Sequence, residues 1–331
     1  MIHALNVEAD EAVWQAILRS SVRSVEELRH LLELQDEQVD WVEDSEFPLH
    51  IPRTFVERME KRNPRDPLLL QVAPSREELN SSEGYSPDPL NENEFTLNGG
   101  LLKKYANRAL VITTQACPVH CRYCFRRHFD YSANQLTDFQ NTLDTLANDP
   151  SIVEVILSGG DPLTLSNTKL EVLIQQLQGL NHVQILRIHT RFPVMIPQRI
   201  TPALVEILSK TRFNVVVVVH INHPNEIDDS VQQAIERLRN AQIEVFNQSV
   251  LLKGVNDSVQ VLSKLMHRVF EIGVVPYYLH LFDPVAGAHH FDLSETIAIA
   301  LWKELQSQLP GYLVPRLVRE VPHQPAKVIQ T

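Results

Sequence analysis

Cys117, Cys121 and Cys124 are the only cysteines in the chain, and all three fall inside CPVHCRYC. An odd number of thiols packed this closely is not a disulfide framework. The plain reading is three thiols that happen to be neighbours; their placement favours a metal site. Thiolates are soft ligands suited to zinc, copper(I) or iron–sulfur clusters. A structural zinc site takes four protein ligands, and an ordinary 4Fe-4S electron carrier takes four Cys. His120 or His128 could complete a zinc site, so counting leaves zinc open. The other arrangement is a cluster with one iron left for an outside ligand.

Further candidates lie downstream. The chain has only ten glycines, so Gly159-Gly160 directly ahead of Asp161 is informative. Glycine lets the backbone approach a ligand closely or take φ > 0, although a tight turn would use the same pair. Arg126 and Arg127 read either as solvated charges or as guanidinium groups beside a metal loop, suited to a carboxylate. His220 alone reads as a core histidine. Asp283 alone reads equally as a turn cap before Pro284 or as a partner for a cation.

Repeated strand–helix units are what would position these groups. Residues 1–60 look helical: Val13, Trp14, Ile17 and Leu18 have helical spacing, Ser24 and Glu27 form a capping box, and Pro52 suits a helix start. Residues 61–100, rich in Pro, Asn and Asp, read as a connecting segment with one short helix at Ser75–Glu78. From about residue 105, apolar runs recur at 109–113, 153–157, 183–188, 214–219, 243–250 and 274–281, separated by amphipathic stretches. That alternation predicts an α/β fold with parallel βαβ units. NVVVVV fits a strand covered on both faces. Six units favour a partial or complete β/α barrel over a flat sheet. In either architecture chemistry belongs past the carboxyl ends of the strands. The cysteine window, Gly159-Gly160-Asp161, His220, Asn247-Gln248 and Asp283 all fall at or near such ends.

Composition narrows the class. The 331 residues are 44% apolar and 21% charged, which excludes a chain that is mainly disordered or fibrous. Thirty basic against 41 acidic residues give a net charge of −11, a poor match for a general nucleic-acid binder. No apolar run approaches the roughly 18 residues of a membrane span, and MIHALNVEADEAVW lacks the pattern of a secretory signal. A cytoplasmic protein is expected.

CPVHCRYC follows the CxxxCxxC pattern of radical S-adenosylmethionine (SAM) enzymes, with a strand in front and SGGD after the next strand. The chain more closely resembles the lysine 2,3-aminomutase family through CRYCFRRHF, LSGGDPL, PVMIPQRIT, INHPNE, FNQSVLLKGVND and PYYLHLFD. Their order spans about residues 64–327. It looks most like the short members that supply (R)-β-lysine for modifying elongation factor P. The resemblance implies a partial (β/α)6-type radical SAM barrel. Residues 1–100 would be a helical extension and connector, 101–310 the core, and 311–331 a tail carrying a pyridoxal phosphate (PLP) lysine.

By position, the resemblance implies that Cys117, Cys121 and Cys124 hold a 4Fe-4S cluster whose open iron takes the amino and carboxylate groups of SAM. Tyr123 falls where family members place an aromatic near the adenine. Gly159, Gly160 and Asp161 would face the methionine part, and His220 and Gln248 match SAM-contacting positions. Lys327 aligns with the PLP lysine, and Lys104, Tyr105 and Arg108, just before the first strand, match the region handling the PLP phosphate. Arg126 matches the arginine for the substrate carboxylate. Asp283 and Glu320 fall on the two carboxylates that read the substrate's ε-ammonium. The chain departs from the family at His323-Gln324-Pro325-Ala326, where a Gly-rich stretch is usual, and at Glu320, where Asp is usual. With no spare Cys, it is expected to lack the zinc site of some longer members.

The implied reaction is an isomerisation that moves the α-amino group of L-lysine to Cβ. No ordinary side-chain base removes an unactivated Cβ–H proton, so cofactors must supply radical chemistry. Implied partners are a flavodoxin- or ferredoxin-type reductant and an elongation factor P β-lysyl ligase; a homo-oligomer is left open. The competing readings are an aminomutase acting on arginine or glutamate, and a non-catalytic iron–sulfur or zinc module.

Overall fold

A computed structural model describes residues 2–98, 100–131 and 139–330 of the chain. One ten-stranded sheet organises it. In chain order the strands are β1 (Thr96–Asn98), β2 (Leu101–Tyr105), β3 (Arg108–Thr114), β4 (Glu154–Gly159), β5 (Ile185–Thr190), β6 (Asn214–Val219), β7 (Glu244–Val250), β8 (Val275–His280), β9 (Arg316–Arg319) and β10 (Val328–Ile329). Neighbours in sequence are neighbours in the sheet throughout. From β3 to β9 every pairing is parallel. β1, β2 and β10 pair antiparallel at the two margins.

All six expected strands are present, as β3 to β8. The order also decides the architecture. A doubly wound sheet reverses its strand order at a switch point; this one does not. Right-handed crossovers in one continuous direction put the helices on one face, so the sheet curls. Its margins, β1 and β10, do not pair with each other, which leaves the barrel partial. β9 is a seventh parallel strand, and β1, β2 and β10 were also absent from the expected set. Lys104 and Tyr105 therefore lie on β2, and Arg108 opens β3, rather than preceding a first strand.

Helix starts follow local chemistry. Ser166 caps the helix Asn167–Gln178, which buries Leu170, Leu173, Ile174 and Leu177. Thr201 with Pro202 begins Pro202–Ser209, Ser258 begins Val259–Glu271, and Ser294 begins Glu295–Gln308. Each cap oxygen accepts an otherwise unpaired amide of the first turn.

The N-terminal sixty residues are less helical than expected. Helices cover Ile2–Arg19 and Val25–Leu31, and irregular chain dominates afterwards. The Ser24 box is half formed: Ser24 Oγ accepts from Glu27 N–H at 3.0 Å, but the Glu27 carboxylate goes to Arg53 instead. The Ser75 box is complete, although its turn, Arg76–Leu79, is a 3₁₀ helix. Glu78 from that turn is buried between Arg122 and Arg127. Burial works to raise its pKa, yet the two guanidinium groups outweigh it and hold the carboxyl below its ordinary value. The connecting segment thereby clamps the chain that follows the cysteines.

Candidate active site

β3 leads into the cysteine window, and the end of β4 lies against it. Gly160 N–H donates to Thr114 O at 2.7 Å, and Asp161 N–H donates to Ala116 O at 2.8 Å. These bonds carry the β3–β4 pairing beyond the strands, to within one residue of Cys117. A side chain would end it. A Cβ on Gly159 would lie 2.6 Å from Thr114 O, and one on Gly160 2.3 Å from Ala116 O; Gly159 also has φ +118°. The glycine pair thus sets the closeness of two loops.

Asp161 was expected to face a ligand. It reaches the cavity wall, but its oxygens are occupied: they accept from Leu163 N–H (3.0 Å), Thr190 Oγ1 (2.8 and 2.9 Å) and Arg191 N–H (2.7 Å). Burial lifts its pKa to about 6 against the pull of these donors. Its carboxylate ties the loop after β4 to the end of β5.

The three thiols open on one cavity of about 630 Å³. Cys124 N–H donates to Cys121 O at 3.0 Å and Arg127 N–H to Cys124 O at 3.1 Å, so the window is wound into tight turns. Arg191, ion-paired with Glu226 at 2.9 Å, points Nη1 at Cys121 Sγ, 2.8 Å away. Burial pushes the Cys117 thiol up, and that of Cys124 up to about 11. A bound metal reverses that preference, because a ligating thiol is deprotonated. Among the described residues no three Cys, His, Asp or Glu side chains converge on a single-ion site. The fit to an iron–sulfur cluster rests on donor chemistry: three soft ligands on one cavity wall with open space before them. His120 has Nδ1 2.8 Å from Pro48 O and stacks on Phe47. His128 has Nε2 3.0 Å from Ala286 O. Each has one ring nitrogen engaged by a backbone carbonyl.

Beside the thiols, His220 Nε2 and Gln248 Nε2 are 3.3 Å apart. Burial lowers the His220 pKa to about 3, so the ring is neutral. Asn222 Nδ2–H donates to Tyr123 Oη at 2.7 Å, and Phe291 meets the Tyr123 ring edge-on at 6.2 Å.

Elsewhere the cavity wall is built from charge. Glu320 accepts from Lys104 at 2.6 Å and also from Tyr105 and Lys327. Burial works to raise the Glu320 pKa, but Lys327 and Lys104 bring it down to about 2. Asp283 is pushed up to about 7 by burial, with Lys327 lowering it and Glu320 raising it. Arg126 is buried, and its Nε and Nη2 donate to both oxygens of Glu92 at 2.7 and 2.6 Å. Arg108 lies over the Tyr105 ring, 3.8 Å from Glu154. In the tail, His323 takes φ 64°, a left-handed conformation that glycine adopts freely.

Every residue to which the resemblance gave a cofactor or substrate role lines this one cavity, whereas His128 and Asn247 do not. Sequence reasoning missed Glu92, Arg187, Arg316, His189 and His280, which line it too. ILRIHT in β5 carried a signal: a strand in a covered sheet that alternates apolar with Arg187 and His189 faces something polar. Glu92 carried none, since it sits in an Asn- and Pro-rich connector.

Comparison with known proteins defines the class. Residues 111–265 match the Radical SAM superfamily. The L-lysine 2,3-aminomutase of Haemophilus influenzae is 44% identical over 324 residues, covering 97% of this chain and 96% of that protein. That of Escherichia coli is 44% identical over 319 residues, covering 95% and 93%. That of Clostridium subterminale is 35% identical over 320 residues, covering 95% and 77%. With the cysteine window at the end of β3 in a partial β/α barrel, this is a radical SAM enzyme, whose cofactors are a 4Fe-4S cluster and SAM. More narrowly, the chain belongs to the lysine 2,3-aminomutase family, and it is an isomerase. The reading as a non-catalytic zinc or iron–sulfur module is set aside.

Proposed function

We propose that this enzyme converts free L-lysine to (R)-β-lysine with PLP as a third cofactor, and that the product serves modification of elongation factor P. The observation that carries the reading is the distribution of charge in one cavity. A buried guanidinium, Arg126, stands on one part of its wall, and the Asp283/Glu320 pair stands with Lys327 on another. Lysine has the complementary ends.

In this reading Cys117, Cys121 and Cys124 hold the cluster. Tyr123, Gly159, Gly160, His220 and Gln248 form the wall for SAM, and Asp161 keeps that wall in shape. Lys327 holds PLP. Lys104, Tyr105 and Arg108 take the side of its phosphate, with Arg187 and Arg316 adding positive charge nearby. When bound, SAM on the cluster supplies a radical able to take hydrogen from an unactivated Cβ, and PLP supplies a carrier for the migrating nitrogen. The protein's own tasks are placement and shielding. Arg126 takes the substrate carboxylate in its planar fork. Asp283 and Glu320 take the ε-ammonium, a group of the same kind as the Lys327 ammonium that meets Glu320. Lys327 must leave Glu320 before it can hold PLP, which frees the acidic pair for substrate.

Two carboxylates repel an acidic side chain, which disfavours glutamate; product analysis with arginine tests the remaining cationic alternative. The functional segments are 1–100, 101–310 and 311–331, with β9 making the sheet continuous across the last boundary. Among the described residues no helix is long and apolar enough to cross a membrane. A cytoplasmic location, a flavodoxin- or ferredoxin-type reductant, a β-lysyl ligase downstream and a homo-oligomer complete the proposal.

Borohydride reduction of the PLP-loaded protein, followed by peptide mapping, tests the tail. The label is expected on Lys327; a label on another lysine overturns the assignment. Asp283→Ala is expected to lower lysine turnover by about 100-fold while SAM cleavage persists. Unchanged lysine kinetics would reject the acidic pair.

A further inference from the structure

Arg126 already has a carboxylate. Glu92 fills its fork with two bonds of 2.7 and 2.6 Å, and the side chains are 7% and 12% exposed. The remaining nitrogen, Nη1, donates to Ser158 Oγ at 3.0 Å and Gly159 O at 3.3 Å. A second carboxylate cannot use the same edge of the guanidinium while Glu92 stays. Two like charges at that separation, away from bulk water, repel strongly.

Glu92 sits where it can leave. It opens a single turn, Glu92–Phe95, entered through Asn91 at φ 51°, and this turn lies between the connector and the marginal strand β1. Asp88 caps the turn by accepting from Glu92 N–H at 3.0 Å. The other end of the turn touches the tail. Glu94 Oε2 is 3.1 Å from His323 Nε2, and the Phe95 and His323 rings are 5.3 Å apart. The same short strap thus contacts Arg126 and the segment that carries Lys327.

We infer that Glu92 is a resident competitor for Arg126, displaced by the α-carboxylate of the incoming amino acid, so that only a ligand bearing that carboxylate releases the strap 92–95. The inference rests on Arg126 being the carboxylate-binding residue. The competition sets affinity: Glu92 neutralises the buried guanidinium, and each substrate molecule binds against it.

The test uses holoenzyme loaded anaerobically with cluster, SAM and PLP, without reductant, so that nothing turns over. L-Lysine and 1,5-diaminopentane, which lacks the carboxylate, are titrated by calorimetry. Glu92→Gln keeps shape and hydrogen bonding but removes the charge; Glu92→Asp keeps the charge but shortens the reach. Both variants are expected to bind lysine about tenfold more tightly than the parent, with diaminopentane affinity unchanged. In the parent protein, lysine but not diaminopentane is expected to raise amide hydrogen exchange across residues 88–98. This arm needs no variant, so it decides the matter should a substitution impair folding. Lysine affinity unchanged or weakened in both variants, or exchange unmoved by lysine, would overturn the inference. Arg126→Gln separates it from its premise. If that variant binds lysine as the parent does, the assignment of Arg126 fails. If it loses lysine while the Glu92 variants gain nothing, only the role of Glu92 fails.

Discussion

At the cysteine end of the cavity the backbone does the holding. Gly160 and Asp161 donate amides to Thr114 and Ala116, glycines allow the close approach, and Asp161 fastens the loop to Thr190 and Arg191. At the tail end charged side chains hold one another: Lys104, Tyr105 and Lys327 all meet on Glu320. Bonds between peptide groups of neighbouring strands do not exchange partners without local unfolding. Ion pairs between long side chains do. In the proposed reaction that contrast sets a fixed framework around the cluster and exchangeable partners around the substrate.

The largest expected effect breaks the two ends apart. Cys121→Ala is expected to lose the cluster and, with it, both SAM cleavage and lysine turnover. Lys327→Ala is expected to lose turnover while keeping iron and SAM cleavage. Iron analysis together with 5′-deoxyadenosine measurement checks both, and loss of iron from the tail variant would show that the ends are not separately held.

Next in size is Gly160→Ala, which puts a methyl group into the Ala116 carbonyl. We expect a cost of about 2–4 kcal/mol, a lowered melting temperature and reduced cluster retention. A variant with parental stability would mean that the close loop contact is not what positions the cysteines.

A smaller effect sharpens the description of the tail end. Burial raises the Asp283 pKa from 3.8 to about 7. A carboxyl raised on folding contributes stability that is complete below its ordinary value and is lost as pH rises through the folded one. The ligand-free protein is therefore expected to lose stability between about pH 4 and pH 7, by something on the order of 1–3 kcal/mol. Lysine binding should strengthen between pH 6 and pH 8 as the carboxylate forms. Asp283→Asn should melt higher than the parent at pH 8, bind lysine more weakly and flatten that pH dependence. Denaturation and binding curves at both pH values check the signs.

The same contrast explains what the sequence revealed. The cysteine end was legible because its determinants are local: a cysteine spacing, a glycine pair in a glycine-poor chain and β-branched runs such as NVVVVV. The tail end depends on residues far apart in sequence. Lys104 meets Glu320 there, as Glu92 meets Arg126 beside the cysteine window, through tertiary packing that leaves no local pattern. β9 has four residues and β10 two, too few to show a period; β9 becomes a strand because β8 is there to pair with, and β10 because β9 is. The family resemblance identified Arg126, Asp283, Glu320 and Lys327 as candidates. It did not show that Arg126 and Glu320 pair with a carboxylate and an ammonium of the protein itself.

The most direct measurement is chiral analysis of products from an anaerobic assay containing free L-lysine, SAM, PLP, reconstituted enzyme and a reductant. The account predicts (R)-β-lysine, formed only when SAM, PLP and the reductant are all present. Recovery of unchanged lysine from enzyme that cleaves SAM normally, or β-lysine formation without PLP, would contradict it.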